Sequence, residues 1–452
     1  MLGETIAAIG TALGEAGIGI VRLSGDNALE IIKRVFVPLD RARFEHGIGY
    51  HLYYGHILEP DVQTIVDEVL VSIMRSPHSY TGEDVVEINC HGGVVAQQII
   101  LNLVLSSGAR LALPGEFTKR AFINGRLDLA QAEAIIDLIR AKTSLSAASA
   151  VEQLRGRLST AIQECRNILL GVLAHIEAGI DFPEDDIVLN EDTVFMAELE
   201  NVRVQLQGIL STAERGKILR DGLNTAIVGQ PNVGKSSLLN ALLREEKAIV
   251  TDIPGTTRDV LAEYISVRGI PLKLMDTAGI RDTVDSIEKI GIERALGALR
   301  SADLVLFVIE AGRNLSARER ELLLAIPQDS LIIVINKIDV AEPMELDFDV
   351  PVYFISALKN EGIAQLEDGI VNLATGRSWG ESPIVSNTRH ISTIEKAAGR
   401  VNEAIYLISS GVPLDLVSID IRAAHQFLGE ISGETVSEDL LDEIFSRFCI
   451  GK

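Results

Sequence analysis

The stretch Gly229-Gln230-Pro231-Asn232-Val233-Gly234-Lys235-Ser236-Ser237 has the spacing G-x-x-x-x-G-K-[ST], and phosphoryl chemistry is what that spacing serves. Its glycines let successive backbone N–H groups turn toward one anion, and a helix behind them adds its dipole. Lys235 would neutralise the β and γ phosphates of a nucleotide, while the Ser236 hydroxyl would ligate magnesium. A pattern this short also fits an ordinary glycine-containing turn. The context argues for a phosphate loop, because the strand-like Ala226-Ile227-Val228 precedes it and the helical Ser237-Leu238-Leu239-Asn240-Ala241-Leu242-Leu243 follows.

Four more elements follow the order that a nucleotide hydrolase needs. Asp276-Thr277-Ala278-Gly279 closes the strand-like Leu272-Lys273-Leu274-Met275, which puts a carboxylate near the metal and a glycine N–H at the γ-phosphate. Upstream, the polar loop Thr251-Asp252-Ile253-Pro254-Gly255-Thr256-Thr257-Arg258-Asp259 offers a threonine to the metal. Asn336-Lys337-Ile338-Asp339 ends the apolar run Leu331 to Ile335 in the form NKxD. The Asp339 carboxylate can accept from both the N1–H and the exocyclic amine of guanine, a donor pair that adenine lacks. Ser356-Ala357-Leu358, after Val352 to Ile355, supplies a backbone N–H for the guanine carbonyl. The five motifs together indicate a P-loop GTPase of the translation-factor-related class. Residue 280 is isoleucine, where Ras-like proteins carry a water-orienting glutamine, and an aliphatic side chain cannot orient water. The nearest supply of carboxylates is Asp282 to Glu288, although a solvated loop without chemistry fits that stretch equally well.

These motifs must sit on a large framework. At 452 residues the chain is long enough for two or three domains. Residues 1–118 mix β-branched runs (Gly19 to Leu23, Asp67 to Ile73, Asp84 to Ile88) with glycine-rich turns and one helical stretch near Gln97 to Leu105, the pattern of an α/β domain. Residues 119–221 turn to three- and four-residue apolar spacing and predict long amphipathic helices. Residues 222–375 alternate short apolar strands with helices, which predicts a mostly parallel, doubly wound sheet. Helical periodicity returns over 376–452. The expected fold is therefore multidomain: an N-terminal α/β domain, an all-α domain in two halves, and a Ras-like GTPase domain inserted between them.

Composition narrows the function classes. With 41 Lys and Arg against 64 Asp and Glu, the net charge is −23, so the long-range field repels polyanions and a nucleic acid must be held by a local basic patch or by another protein. Aromatics at 4% argue against a stacking platform for single strands. The apolar runs are too short to cross a bilayer and the N-terminus lacks a basic stretch, so a cytoplasmic protein without membrane contact is expected. Cys90, Cys165 and Cys449 have neither disulfide nor zinc spacing. His91, beside a glycine pair, reads first as a structural histidine, and Glu184-Asp185-Asp186 as a solvated loop. The terminal Phe448-Cys449-Ile450-Gly451-Lys452 is a poor prenylation box because lysine stands last.

The phosphate-loop segment, TDIPGTTRDV, DTAGI with IGIERA behind it, TGEDVVEINCHGG, PGEFTKRAFINGRLDLAQAEAI and FCIGK together resemble the MnmE (TrmE) family of tRNA-modifying GTPases from Gly19 to Lys452. The resemblance implies a tetrahydrofolate-binding N-terminal domain that also dimerises, with Arg22, Glu87, Arg126 and Lys452 at folate-contacting positions. Arg126 keeps the charge of the family's usual lysine but presents a planar fork. Read from composition alone, Arg22 also fits a surface salt bridge at a strand edge, and Glu87 a solvent-facing position.

The resemblance further implies a potassium ion in place of an arginine finger. Asn232, Thr251, Ile253 and Thr256 would hold it, Ser236 and Thr257 would hold magnesium, and Glu288 would orient the attacking water. Through the family come the flavoprotein MnmG in an α2β2 assembly, tRNA held mainly by that complex, methylenetetrahydrofolate as carbon source, and an aminomethyl or carboxymethylaminomethyl group placed on C5 of the wobble uridine. A regulatory GTPase switch that remodels an RNA–protein assembly shares every nucleotide motif but needs no folate pocket. A folate-dependent transferase with a vestigial GTPase is disfavoured by the intact motifs.

Overall fold

The computed structural model describes residues 3–45, 49–59, 64–181, 191–243, 264–275, 299, 302–342, 348–375 and 382–452. The chain divides into two compact units, one of described residues from Met1–Ile136 and Gly429–Lys452, the other from those between Asp137 and Leu428.

The first unit is built on a seven-stranded sheet of β1 (Ile6–Ile9), β2 (Gly19–Ser24), β3 (Phe36–Pro38), β4 (Leu52–Leu58), β5 (Ile65–Met74), β6 (Val85–Cys90) and β7 (Arg110–Leu111), in the order β3-β4-β5-β6-β2-β1-β7. All pairings are antiparallel except β1 with β7. Period-2 alternation sorts the two faces. Val21 and Leu23 of β2, with Val86 and Ile88 of β6, turn into one apolar core with Ile100 and Val104 of the helix Val94–Ser106, where the helical stretch was predicted. Arg22 and Glu87 occupy the alternate positions and stand directly opposite each other in the register. On the β1 side, Ile6, Ala8 and Phe117 of the helix Glu116–Ile123 form a smaller cluster against which Tyr80 packs. The helix Glu438–Ser446 adds Phe445, which packs with Phe448 and with Leu129 of the helix Leu129–Arg140. That apolar anchoring brings the last residues of the chain back into this unit.

In the second unit a six-stranded sheet runs β13-β12-β11-β8-β10-β9. Its strands are β8 (Leu223–Val228), β9 (Tyr264–Val267), β10 (Ile270–Leu274), β11 (Leu304–Glu310), β12 (Leu331–Asn336) and β13 (Val352–Ile355). Every pairing is parallel except that of β9 with β10. Parallel strands are covered on both faces, which explains why Leu304 to Ile309 and Leu331 to Ile335 are continuous apolar runs: their side chains feed two separate cores in turn. The helix Lys235–Leu243 follows β8, and Ile363–Thr375 follows β13.

The predicted long helices are present as Arg157–Asp181, Glu191–Leu210, Thr388–Ser409 and Leu414–Ser432. Glu191–Leu210 packs against both Arg157–Asp181 and Thr388–Ser409. Asn387 starts the third of these as an N-cap, its side chain accepting from the Arg389 N–H. Among the described residues no helix is long and apolar enough to cross a membrane.

Candidate functional site

The phosphate loop turns out of β8 at Gly229 and enters the helix Lys235–Leu243. Two glycines are required by close approach. A Cβ on Gly229 would lie 2.3 Å from the Val308 carbonyl oxygen, and one on Gly234, at φ +99°, would lie 2.2 Å from Asn336 Nδ2. Asn232 takes the left-handed region at φ 66°, which asparagine tolerates better than most residues. The Lys235 ammonium donates to the carbonyls of Gly229 and Gln230, each at 2.7 Å, and so arches over its own loop. Val233 is buried beneath the loop, whereas Ser236 and Ser237 are exposed on the helix's first turn, where the N–H dipoles point outward.

NKxD and Ser356-Ala357 are tied to this loop by Asn336. Buried at the end of β12, it donates through Nδ2 to the Val233 carbonyl at 2.9 Å and accepts at Oδ1 from the Ala357 N–H at 3.0 Å. One amide thus connects the phosphate loop, NKxD and Ser356-Ala357. Lys337 holds a left-handed φ of 66° and pairs through its ammonium with Glu310 at 2.8 Å. Asp339 accepts at Oδ1 from the Ser356 hydroxyl at 2.7 Å, and that bond holds its carboxyl below the usual aspartate range. Ser356-Ala357-Leu358 is expected to offer a backbone N–H to the base. In this conformation the Ser356 N–H donates to the Glu361 carbonyl at 3.0 Å and the Ala357 N–H to Asn336 Oδ1 at 3.0 Å. What Ser356 contributes is the hydroxyl that orients Asp339. Thr251, Asp252, Ile253, Pro254, Gly255, Thr256, Thr257, Asp276, Thr277, Ala278, Gly279 and Glu288 lie outside the described residues, as do Glu184, Asp185 and Asp186.

A second constellation lies in the first unit. Arg22 sits on an interior strand rather than an edge, and its guanidinium pairs with Glu87 through Nε at 2.8 Å and Nη2 at 2.7 Å, both groups being about four-fifths buried. Nη1 donates to the Gly451 carbonyl at 3.2 Å. The Tyr80 ring lies 5.3 Å from the Arg22 guanidinium and 5.1 Å from that of Arg126, which also donates to the Tyr80 carbonyl at 3.0 Å. Arg22 and Arg126 therefore share one aromatic ring, and Arg22 in turn joins Glu87 to the backbone beside Lys452. The sequence marks Tyr80 only by its place directly before Thr81-Gly82-Glu83-Asp84 in a chain poor in aromatics.

Outside these two places the remaining candidates have quieter roles. His91 pairs with Asp67 at 2.6 Å, which raises its pKa and fits the structural reading. Burial pushes the thiols of Cys90 and Cys165 up to about 11 and about 12, so both are inert as nucleophiles near neutrality, while Cys449 is exposed.

Comparison with known proteins places the chain. A family profile described as "MnmE helical domain" matches residues 129–449, and one described as "GTP-binding protein TrmE N-terminus" matches residues 5–126. The "tRNA modification GTPase MnmE" of Geobacillus kaustophilus is 50% identical over 99% of both chains. That of Thermoanaerobacter pseudethanolicus is 48% identical over the whole of both chains. Among solved structures, the G domain of the T. maritima FeoB iron transporter is similar over 34% of this chain and 98% of its own, at 28% identity and a TM-score of 0.25, a likeness too partial to argue from. Half of its residues shared with a relative over the full length, together with two profiles that divide most of the chain between them, mean that this chain belongs to the MnmE family of tRNA modification GTPases.

Proposed function

We propose that this GTPase acts with MnmG as an α2β2 assembly that places an aminomethyl or carboxymethylaminomethyl group on C5 of the tRNA wobble uridine. Methylenetetrahydrofolate supplies the carbon at the Arg22–Glu87 site, and GTP hydrolysis drives conformational change. The domain bounds go with this reading: 1–118 for folate binding and dimerisation, 119–221 and 376–452 for the helical halves, 222–375 for the GTPase. The observation that carries the folate assignment is that Arg22 pairs with Glu87, bonds the Gly451 carbonyl and shares the Tyr80 ring with Arg126. A pterin presents a guanine-like donor edge that a fixed carboxylate such as Glu87 accepts, and Arg22, paired with that carboxylate at 2.7 Å, fixes it in place. Calorimetric titration with 5-formyltetrahydrofolate is expected to give saturable binding that Arg22→Ala abolishes. A folded, GTP-hydrolysing protein that binds no folate would instead be the regulatory switch.

For hydrolysis, the exposed Ser236 hydroxyl fits a magnesium ligand together with Thr257, and the exposed Asn232 fits a potassium ligand together with Thr251, Ile253 and Thr256. The cations supply charge compensation for the phosphates during transfer. Lys235, already arched over the loop, is placed to neutralise the same charge, and Glu288 orients the attacking water. Glu288→Ala is expected to retain nucleotide affinity and to lose on the order of 100-fold in turnover. Turnover equal to wild type removes Glu288 from the mechanism, and equal rates in sodium and potassium remove the ion.

A further inference from the structure

Gln230, the second residue of the phosphate loop, is gripped at both ends of its side chain by a loop that no motif contains. Its Oε1 accepts from Arg313 Nη1 at 2.5 Å, and its Nε2 donates to the Ser316 hydroxyl at 3.3 Å. The other arm of the Arg313 fork, Nη2, meets Glu319 Oε1 at 2.5 Å. Glu319 is itself fixed: it is 3% exposed, and its Oε2 accepts from both the N–H and the hydroxyl of Ser316, each at 2.8 Å, in the capping box of the helix Ala317–Ala325. The grip is therefore anchored to a helix terminus and not to a freely rotating surface side chain.

The same loop also touches the base end of the site. It leaves β11 at Glu310, the partner of Lys337, and the Ala311 N–H donates to the Asn336 carbonyl at 2.8 Å. At Gly312, φ 75°, a Cβ would come within 2.8 Å of Ala341 Cβ, so the loop runs close under the segment that follows NKxD. Residues 310–316 thus bridge the phosphate loop and the guanine-reading segment.

We propose that Arg313 is a positioning residue for the phosphate loop: its planar fork, aimed by Glu319, holds the Gln230 side chain and with it the backbone that cradles the nucleotide phosphates. The Gln230 carbonyl is one of the two that the Lys235 ammonium uses, so a loose Gln230 loosens Lys235 as well. A lysine cannot replace the arginine, since a single ammonium on a flexible stem does not span two acceptors in one plane. The inference rests on Gly229 to Ser237 holding the phosphates, as the GTPase reading requires.

The test is the dissociation constant of a fluorescent GDP analogue, measured on the full-length protein with Arg313→Ala, Gln230→Ala, the double variant, Arg313→Lys and, as a control, Lys235→Ala. Either single substitution is expected to weaken GDP about tenfold, the loss of one charge-assisted bond at a preorganised loop. The double variant should be no weaker than the worse single one, because both remove the same contact. Arg313→Lys should recover less than half of the loss on a logarithmic scale, and the KM for GTP should rise by a larger factor than kcat falls. A merely structural role would lower kcat and thermal stability while sparing GDP affinity. Should Arg313→Ala fail to fold, Gln230→Ala carries the test, since it leaves the Arg313–Glu319 pair in place. Unchanged GDP affinity in Gln230→Ala, or losses that multiply in the double variant, overturns the proposal. An unchanged Lys235→Ala would bring down the phosphate-loop reading and this inference together, whereas a loss confined to Lys235→Ala overturns this inference alone.

Discussion

Asp339→Asn is expected to weaken GTP on the order of 100-fold and to turn the site toward xanthosine triphosphate, because it exchanges one acceptor for a donor. The Ser356 hydroxyl fixes one oxygen of Asp339 and holds the carboxyl below the usual aspartate range, so at neutral pH the group is an anion that only accepts. Guanine presents two donors to such a group, the N1–H and the exocyclic amine. An asparagine in the same place meets one of them with its carbonyl and sets its own NH2 against the other, leaving donors face to face and a base amine without a partner. Xanthine carries a carbonyl where guanine carries the amine, so the asparagine amide satisfies both of its groups. Steady-state hydrolysis of the two triphosphates, wild type against variant, measures the exchange. A variant that still prefers GTP would show that Asp339 does not read the base.

Legibility followed sequence distance. The nucleotide motifs stand out because each is a run of neighbouring residues whose chemistry is local: Gly229, Gly234 and Lys235 belong to one strand-to-helix loop, and Asn336 and Asp339 to the end of one strand. Strands were legible where burial imposes a pattern, as alternation in Gly19–Ser24 and as unbroken apolar runs in β11 and β12, which are covered on both faces. Partners far apart in the chain were not. Nothing near Arg22 announces Gly451, 429 residues away, and nothing near Gln230 announces Arg313. Ser356 shows a second limit. Its place after β13 is plain from the sequence, but whether it uses its N–H or its hydroxyl depends on the local bridge to Glu361, which only the folded backbone reveals. Arg22 shows a third, since a basic residue between apolar neighbours reads the same at an edge as in the interior. Only the strand order puts it between β6 and β1, facing Glu87.

The distant pair Arg22 and Gly451 yields the sharpest expectation for the first unit: Gly451→Ala should release the last residues of the chain and, on the folate reading proposed above, raise the dissociation constant for 5-formyltetrahydrofolate at least about tenfold. Gly451 adopts φ +89°, where a Cβ is disfavoured by about 1 kcal/mol. The larger obstacle is contact: that Cβ would stand 2.3 Å from the Ile9 carbonyl oxygen and 3.0 Å from Gly10 Cα, both backbone atoms at the end of β1 that cannot rotate aside. The tail must therefore move, taking the Gly451 carbonyl away from Arg22 Nη1. Phe445 and Phe448 remain packed with Leu129, so the helix Glu438–Ser446 holds while the four residues after Phe448 come free. Carboxypeptidase digestion reads the release directly, with the last residues removed faster than from wild type, and calorimetry reads the ligand. Unchanged protection together with unchanged affinity would mean that the docked tail plays no part in the site. Release with unchanged affinity would confine the site to Arg22, Glu87, Tyr80 and Arg126. Gly451 lends only a carbonyl and a path for the chain, so a loss on adding one methyl would show that Arg22 depends on where the terminus lies.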